Sequence, residues 1–309
     1  MTRKTTRRIL VAAIIVLMVL VTARLTLPFV LEGVIERRLE SMGAAQATIG
    51  DVDVSLLRGR ITLESVLTSG TDDMRFEAAQ ASINIAYWPL FKARLEIEAA
   101  RLRDAVLDVR RTHDGRLFAG GFSISPQERG QTETREKPLR GWEVGLTEAV
   151  LQDVVIRYQG PRLARETTLQ EARLRGVSTW LPSAWSPLVM EAALGDAQLS
   201  FDGSVQPFAP GRALAGRLKV TGLSLATAQE LLKEPGFTLK GTLDAQADVE
   251  VRLPAHGRAV NATMDGQLNA GDVSYSADQL GAQAKSLTWE GKADATLALA
   301  EQTLMLDLQ

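Results

Sequence analysis

The N-terminal segment constrains the fold of this 309-residue chain more than any other feature. Residues 1–8 contain four basic residues and no acid, and residues 9–31 contain a single charge, Arg24. A helix that spans a bilayer needs about 20 mostly apolar residues. Residues 9–31 therefore predict a transmembrane anchor. The basic segment 1–8 predicts a cytoplasmic N-terminus, because positive charge is retained on the cytoplasmic side.

A cleaved signal peptide is the alternative interpretation of the same segment. It has a basic start, a short apolar core and a small-residue site at Val21-Thr22-Ala23. The residues that follow favour the uncleaved anchor, since 32–43 predict an amphipathic helix with Val34, Ile35 and Leu39 at helical spacing. The body then lies beyond the membrane, which in a Gram-negative bacterium is the periplasm.

Charge and composition exclude several classes of function. After residue 24 the chain holds 30 basic and 37 acidic residues, so the body carries no basic footprint for nucleic acid. The chain has no cysteine, which excludes disulfides, thiolate metal ligands and a thiol nucleophile.

The body is predicted to be β-sheet, because apolar and polar residues alternate with period two through most of it. Residues 44–124 form a first β region, 125–140 a polar loop or linker, and 141–309 a second β region. A break at 87–91 predicts one helical turn, and Thr227 to Glu230 match a capping box that opens a short helix.

One face of the predicted strands is aliphatic and the other is polar. The aliphatic positions are the candidate site, as residues that would face lipid in a groove: Ile61, Leu63, Ile83, Ile85, Leu95, Ile97, Leu107, Val109, Leu297 and Leu299. Such a face has to be covered. The sequence leaves two solutions open, a closed sandwich core or a curved groove that holds acyl chains, and the scarcity of helices favours the groove.

No motif for catalysis, phosphate binding or metal binding is present, so neither enzymatic activity nor a cofactor is predicted. Asp51 and Asp53 alternate with valines and predict a solvent face. His113 lies beside Asp114 in a hairpin turn. Residues 304–308 predict a final strand with an open edge, and either a protein partner covers that edge or the chain is the front of a longer product.

Two stretches resemble the AsmA-like family of bacterial envelope proteins. The first is Ile97-Glu-Ala-Ala-Arg-Leu-Arg-Asp-Ala-Val-Leu-Asp-Val-Arg-Arg-Thr-His-Asp-Gly-Arg-Leu, in which an Arg and an Asp-Gly close a hairpin. The second, Ala197-Gln-Leu-Ser-Phe-Asp-Gly-Ser-Val-Gln-Pro followed by Leu218-Lys-Val-Thr-Gly-Leu-Ser-Leu, is similar to a branch with a domain of unknown function. The resemblance implies an inner-membrane protein with a periplasmic β-groove related to bridge-like lipid carriers.

The expected fold is therefore mostly β, with an N-terminal transmembrane helix followed by an elongated, curved, antiparallel and groove-like sheet with one or two short helices. The expected function is to bind or shuttle phospholipid acyl chains between the inner and outer membranes in support of outer-membrane biogenesis. The alternative is a structural or scaffold protein of the envelope that binds no lipid.

Overall fold

The computed structural model describes most of the predicted β-rich body and the helix that precedes it. The described residues are 31–41, 44–70, 74–112, 116–123, 142–160, 164–209, 211–232, 238–253, 259–277, 280–298 and 303–308. The predicted anchor, except Leu31, the predicted linker and the His113 turn lie outside these ranges.

The described residues form fifteen strands and three short helices. The strands are β1 (Gln46–Ser55), β2 (Arg60–Ser69), β3 (Arg75–Ala86), β4 (Arg94–Arg111), β5 (Leu117–Ala119), β6 (Phe122–Ser123), β7 (Glu143–Gln159), β8 (Ala164–Ser178), β9 (Ser186–Leu194), β10 (Ala197–Gln206), β11 (Arg212–Ser224), β12 (Thr238–Leu253), β13 (Ala259–Ala277), β14 (Leu280–Ala298) and β15 (Thr303–Leu308). The helices are α1 (31–41), α2 (Tyr87–Leu90) and α3 (Leu225–Leu232).

All fifteen strands belong to one sheet, and thirteen of them follow one another as neighbours in chain order: β1, β2, β3, β4, then β7 to β15. The pairs are antiparallel except β4 with β7, which is parallel and aligns Leu102 with Leu151. The two predicted β regions therefore meet directly and form a single sheet. A small β5–β6 hairpin pairs with the end of β4.

The prediction of a mostly β chain with one curved, open and largely antiparallel sheet and few helices is confirmed. Within the ranges that the structure describes, no helix is long and apolar enough to cross a membrane. The helical turn predicted at 87–91 is present as α2. The capping-box prediction places the helix start three residues late, because a cap at Thr227 implies a first helical residue at 228, whereas α3 begins at Leu225.

A line of β-bulges crosses the first six neighbouring strands of the sheet, which are β1 to β4, β7 and β8. In β2, for example, the inward-facing residues Leu63 and Val66 are three positions apart instead of two, and Ser65 between them has φ of 52°. Asp104 in β4 and Asp153 in β7 lie on the same line and have φ of 49° and 53°. A left-handed residue absorbs the extra position, so side chains on both sides of the line stay on one face.

The β5–β6 hairpin folds back onto the ends of β2 and β3. The hydroxyl of Thr68, almost fully buried, donates to the carbonyl of Gly120 at 3.0 Å. Gly121 lies so close to Gly70 that a Cβ on Gly70 would meet the Cα of Gly121 at 2.3 Å. This close approach requires glycine at both positions and closes one end of strands β2 and β3.

Helix α1 covers the outer edge of the sheet at β1. Its apolar residues Leu31 and Ile35 pack with Ile49, Val52 and Val54. The Glu36 carboxylate accepts a hydrogen bond from the backbone N–H of Ile49 at 3.1 Å. An edge strand has unpaired N–H groups, and this contact satisfies one of them.

Substitution of Asp104 tests the bulge line. Asp and Asn tolerate the left-handed region, whereas a β-branched residue is strained there by about 1–2 kcal/mol. We expect Asp104→Val to lower the free energy of unfolding by that amount and Asp104→Asn to change it by less than about 0.5 kcal/mol. Denaturant titration of the detergent-solubilised full chain measures both.

Asp202→Val is the matched control, because Asp202 is an exposed strand aspartate outside the positive-φ set. It should be nearly neutral. Equal losses of stability in the Asp104→Val and Asp202→Val variants would contradict the assignment of backbone strain to Asp104.

Candidate functional site

Three rows of cross-strand neighbours carry an unbroken apolar surface across twelve strands, β1 to β4 and β7 to β14. Each row takes one residue from each strand, and directly paired residues point to the same face. The first row is Val52, Leu63, Ala81, Leu102, Leu151, Ala172, Met190, Phe201, Leu218, Ala247, Gly266 and Gly291.

The two rows on either side have the same character. One is Ile49, Val66, Ala78, Ala105, Val154, Leu169, Ala192, Leu199, Val220, Ala245, Leu268 and Trp289; the other is Val54, Ile61, Ile83, Ala100, Ala149, Leu174, Leu188, Gly203, Gly216, Val249, Met264 and Ala293. These 36 positions include no charged, hydroxyl or amide side chain. We call the surface they form, with its continuation along the same strands, the apolar face.

The opposite surface, the polar face, carries mostly polar and charged side chains. Between two of the apolar rows runs a row of Asp53, Thr62, Ser82, Arg101, Val150, Arg173, Val189, Asp202, Arg217, Asp248, Asp265 and Lys292. Ion pairs link neighbouring strands there, including Arg217 with Asp248 at 3.1 Å and Lys292 with Asp265 at 3.6 Å. Both partners of each pair are well exposed, so these pairs contribute little stability, and the polar face stays solvated.

No second layer packs over the middle of the apolar face among the described residues. The main apolar cluster centres on Val66, Ala78, Ala105 and Val154, and its other members also come from β2, β3, β4, β7 and β8. These strands are consecutive neighbours in the sheet. The side chains therefore cover one another sideways, whereas a sandwich would bring in residues from distant strands.

Burial varies from position to position on this face. Ala78 is 0% exposed because the larger side chains of Leu63, Phe76 and Leu102 pack around its cluster. Ile83, at the margin of the same surface, is 43% exposed. The apolar face thus includes enclosed positions such as Ala78 and large aliphatic side chains, such as Ile83, that remain partly in contact with solvent.

Phe201 lies flat across two strands. A Cβ on Gly203 would meet its ring at 2.7 Å, and one on Gly216 would meet it at 2.9 Å. The two glycines are cross-strand partners, so together they make the space that the ring fills. The ring is 5% exposed and gives the second half of the apolar face its largest buried aromatic group.

The structure brings eight of the ten sequence-predicted site residues onto the apolar face. Ile61 pairs with Ile83, Ile85 with Ile97, and Leu107 with Phe76 of the same cluster. The remaining three, Leu63, Leu95 and Val109, are each two residues from one of these along a regular strand. The backbone of Leu297, the ninth predicted residue, pairs with the backbones of Val260 and Leu304. Leu299 lies outside the described residues.

Sequence reasoning missed the apolar residues of the middle strands. It named none between Val109 and Leu297, although Leu174, Leu188, Leu199, Leu218 and Leu268 continue the rows. The signal that could have found them is the same alternation, as in Leu199-Ser-Phe-Asp, where Leu and Phe flank a polar residue.

A hollow of about 950 Å³ lies on the polar face across β10 to β14. Its lining is largely charged and includes Asp202, Arg217, Lys219, Asp248 and Lys292. A twisted sheet is saddle-shaped, so each face is concave along one diagonal. Across β10 to β14 the hollow lies on the polar face, on the other side of the sheet from the apolar face. A groove on the apolar side of these strands remains a prediction.

Groups with catalytic or metal-binding potential are dispersed over the described part of the chain. Asp51 and Asp53 are exposed, and one oxygen of Asp51 accepts from the neighbouring N–H of Val52 at 2.9 Å. No three His, Asp or Glu residues within the described ranges converge on a site for a metal ion.

Comparison of the chain with protein-family models, with curated proteins and with solved structures finds no match in any of the three. The resemblance to AsmA-like proteins therefore stays an expectation from the sequence.

Replacement of Ala78 by leucine tests the sideways packing of the apolar face. Ala78 has no exposed surface, so three additional carbon atoms force its neighbours apart at a cost of about 1–3 kcal/mol. Ala79→Leu is the matched control, since the next side chain along the strand is exposed and should change stability by less than about 0.5 kcal/mol. Thermal unfolding of both full-length variants gives the comparison, and equal midpoints would contradict this packing.

Proposed function

We propose that this chain is a membrane-anchored envelope protein whose apolar face shelters phospholipid acyl chains during their passage between the inner and outer membranes, in support of outer-membrane biogenesis. The observation that carries the proposal is the uninterrupted apolar face: 36 paired positions without a polar side chain, and no covering layer over most of them. A face of this kind has to be covered, and acyl chains match its chemistry along its whole length.

The energetics fit a carrier rather than a permanent binding site. Each methylene group that leaves water for an apolar surface gains about 0.8 kcal/mol, so an acyl chain laid along the rows is held without any polar anchor. The headgroup stays in water at the margin of the sheet. Because the rows contain no charged, hydroxyl or amide side chain, no polar group fixes the lipid at one strand, and movement along the rows is passive.

The length of the face also supports transport over a distance. The twelve strands that carry the face, at about 4.8 Å each, span roughly 55 Å. One acyl chain extends over about half of a 30 Å hydrocarbon core, roughly 15 Å. The face therefore accommodates several lipids in succession. The resemblance to AsmA-like proteins points to the same class of function.

Site-specific photo-crosslinking in cells tests the proposal. A benzophenone amino acid at Ile83 or at Leu287, which is 54% exposed, places the reactive group on the apolar face at two positions nine strand steps apart. The same amino acid at Ser82 or Ser286 places it on the polar face. We expect phospholipid adducts, detected by mass spectrometry of the purified chain, at Ile83 and Leu287 in several-fold excess over the serine positions.

Equal lipid adducts at all four positions would show only contact with the bulk membrane, and absence of adducts at Ile83 and Leu287 would overturn the proposal. Melting temperatures of the four variants control for misfolding. Each apolar-face position is compared with the residue next to it in the sequence. The two photo-reactive groups of a pair therefore lie at the same place along the sheet and differ in the face that they occupy.

A scaffold is the second candidate function, and the free edge of β14 favours it. Among the described residues, β15 pairs with β14 only from Ala293 to Ala298, so β14 has no partner on that side from Leu280 to Lys292. An unpaired edge of this length is a template for the addition of a further strand.

The same photo-crosslinking amino acid at Lys285, in the middle of this edge, tests the scaffold. A discrete protein adduct at Lys285 together with no lipid at Ile83 and Leu287 would favour the scaffold. Lipid at Ile83 and Leu287 with no protein adduct at Lys285 would exclude it.

A further inference from the structure

The two long rims of the sheet differ in the number of exposed aromatic side chains on their described connections. Because antiparallel strands reverse at alternate ends, the connections at 56–59, 87–93, 179–185 and 207–211 all lie on one rim. The parallel pairing of Arg94 with Glu143 places Trp142 there too. We call these four connections with Trp142 the aromatic rim. It extends from β1 to β11, about 40 Å at 4.8 Å per strand.

Most of the exposed large apolar side chains of the described residues lie on this rim. Leu57 is 91% exposed, Phe91 83% and Trp88 75%, and Tyr87, Trp142, Leu181, Trp185 and Phe208 are exposed as well. Four of the five tryptophans in the chain belong to it. Isolated exposed apolar residues are ordinary, but a contiguous set of this kind marks an interaction surface.

The four connections of the aromatic rim carry only positive charge. They contain Arg58 and Lys92 and no acidic residue. On the opposite rim, the described connecting residues, 70, 74, 112, 116, 160, 195–196 and 225–232, include no aromatic residue.

Local contacts hold the rim side chains outward. The Tyr87 hydroxyl donates to the carbonyl of Leu56, which ties α2 to the β1–β2 turn, and the ring of Trp88 packs edge-on against Phe91 at 5.9 Å. The Arg94 guanidinium stacks 4.2 Å above the ring of Trp180. Trp180 is thereby turned back toward the sheet, and its neighbours Leu181 and Trp185 remain at the surface.

Helix α1 directs the preceding chain toward the same rim. The Leu39 carbonyl accepts from the N–H of Ala44 at the start of β1, and Glu36 reaches Ile49 further along that strand. The helix therefore runs antiparallel to β1, and its first residue, Leu31, lies on the side of the β1–β2 turn. The apolar segment 9–30 is joined to the chain at that point.

From these observations we propose that the aromatic rim is a membrane-docking edge, which inserts its aromatic and aliphatic side chains at the boundary between lipid headgroups and acyl chains. Tryptophan and tyrosine favour this layer because their rings are apolar with one polar group. Arg58 and Lys92 are attracted to anionic headgroups. The sheet then lies with one long edge on the bilayer. This orientation does not depend on whether the apolar face carries lipid.

Depth-dependent quenching tests the docking edge. The chain contains no cysteine, so single substitutions Leu57→Cys, Phe91→Cys and Leu181→Cys accept one fluorescent label each, with Asp196→Cys and Ser276→Cys as controls on the opposite rim. The full chain is reconstituted into nanodiscs of phosphatidylethanolamine and phosphatidylglycerol that contain a lipid with a shallow nitroxide quencher. We expect quenching at the three rim positions to exceed that at the two control positions several-fold.

The comparison of rims separates docking from lipid carriage. A quencher lipid held on the apolar face lies between the two rims and quenches labels on both, whereas a docked edge quenches one rim only. Equal quenching on the two rims, or unquenched labels at Leu57 and Phe91, would overturn the proposal and leave the lipid-carrier function untouched.

A charge variant provides the second readout. The double substitution Trp88→Glu and Phe91→Glu should reduce quenching at Leu181→Cys to the level of Asp196→Cys, because carboxylates resist transfer into the interface. The matched control, Gln198→Glu and Ser276→Glu on the opposite rim, should leave it unchanged. An unchanged signal in the rim variant would also contradict membrane docking.

Discussion

Cross-strand register is the constraint on which the rest of this structure depends. Side chains alternate along a strand, so an unmatched shift of one residue would move every following apolar side chain to the other face. The first six strands of the path each carry an additional residue, and they carry it on one line. Ser65, Asp104 and Asp153 absorb it with left-handed backbone. Because neighbours are bulged together, Leu63, Leu102 and Leu151 remain aligned with the residues that follow them.

A sheet with this register has two chemically distinct faces and only one layer. The polar face is solvated and crossed by exposed ion pairs such as Arg217 with Asp248. The apolar face is covered by α1 at one edge and by the β5–β6 hairpin at one end. Elsewhere its side chains cover one another only sideways. The hydrophobic effect that holds a sandwich together is thus incompletely satisfied within the described chain, and this imbalance is the physical basis of the proposed lipid carriage.

The margins of the sheet show a third separation of chemistry, since the exposed aromatic residues of the described connections are concentrated on one rim. Turns need no aromatic residues, so Leu57, Trp88 and Phe91 at nearly full exposure are not explained by folding. The two proposals use different surfaces, the apolar face for acyl chains and the aromatic rim for the membrane boundary. They are compatible, because a sheet that lies on its rim presents its apolar face beside the bilayer.

The sequence by itself determined the strand content, the two-faced alternation and most of the early apolar positions, because period-two patterning is local and survives in any β-fold. Ile61, Leu63, Ile83 and Ile85 could therefore be predicted to share a face. Only the tertiary structure decided that Leu102 pairs with Leu151 in parallel and that Ala78 is fully enclosed. It also decided that four connections spread over 150 residues form one aromatic rim. These features depend on contacts between residues far apart in the chain, and no local pattern encodes which strand will become the neighbour of which.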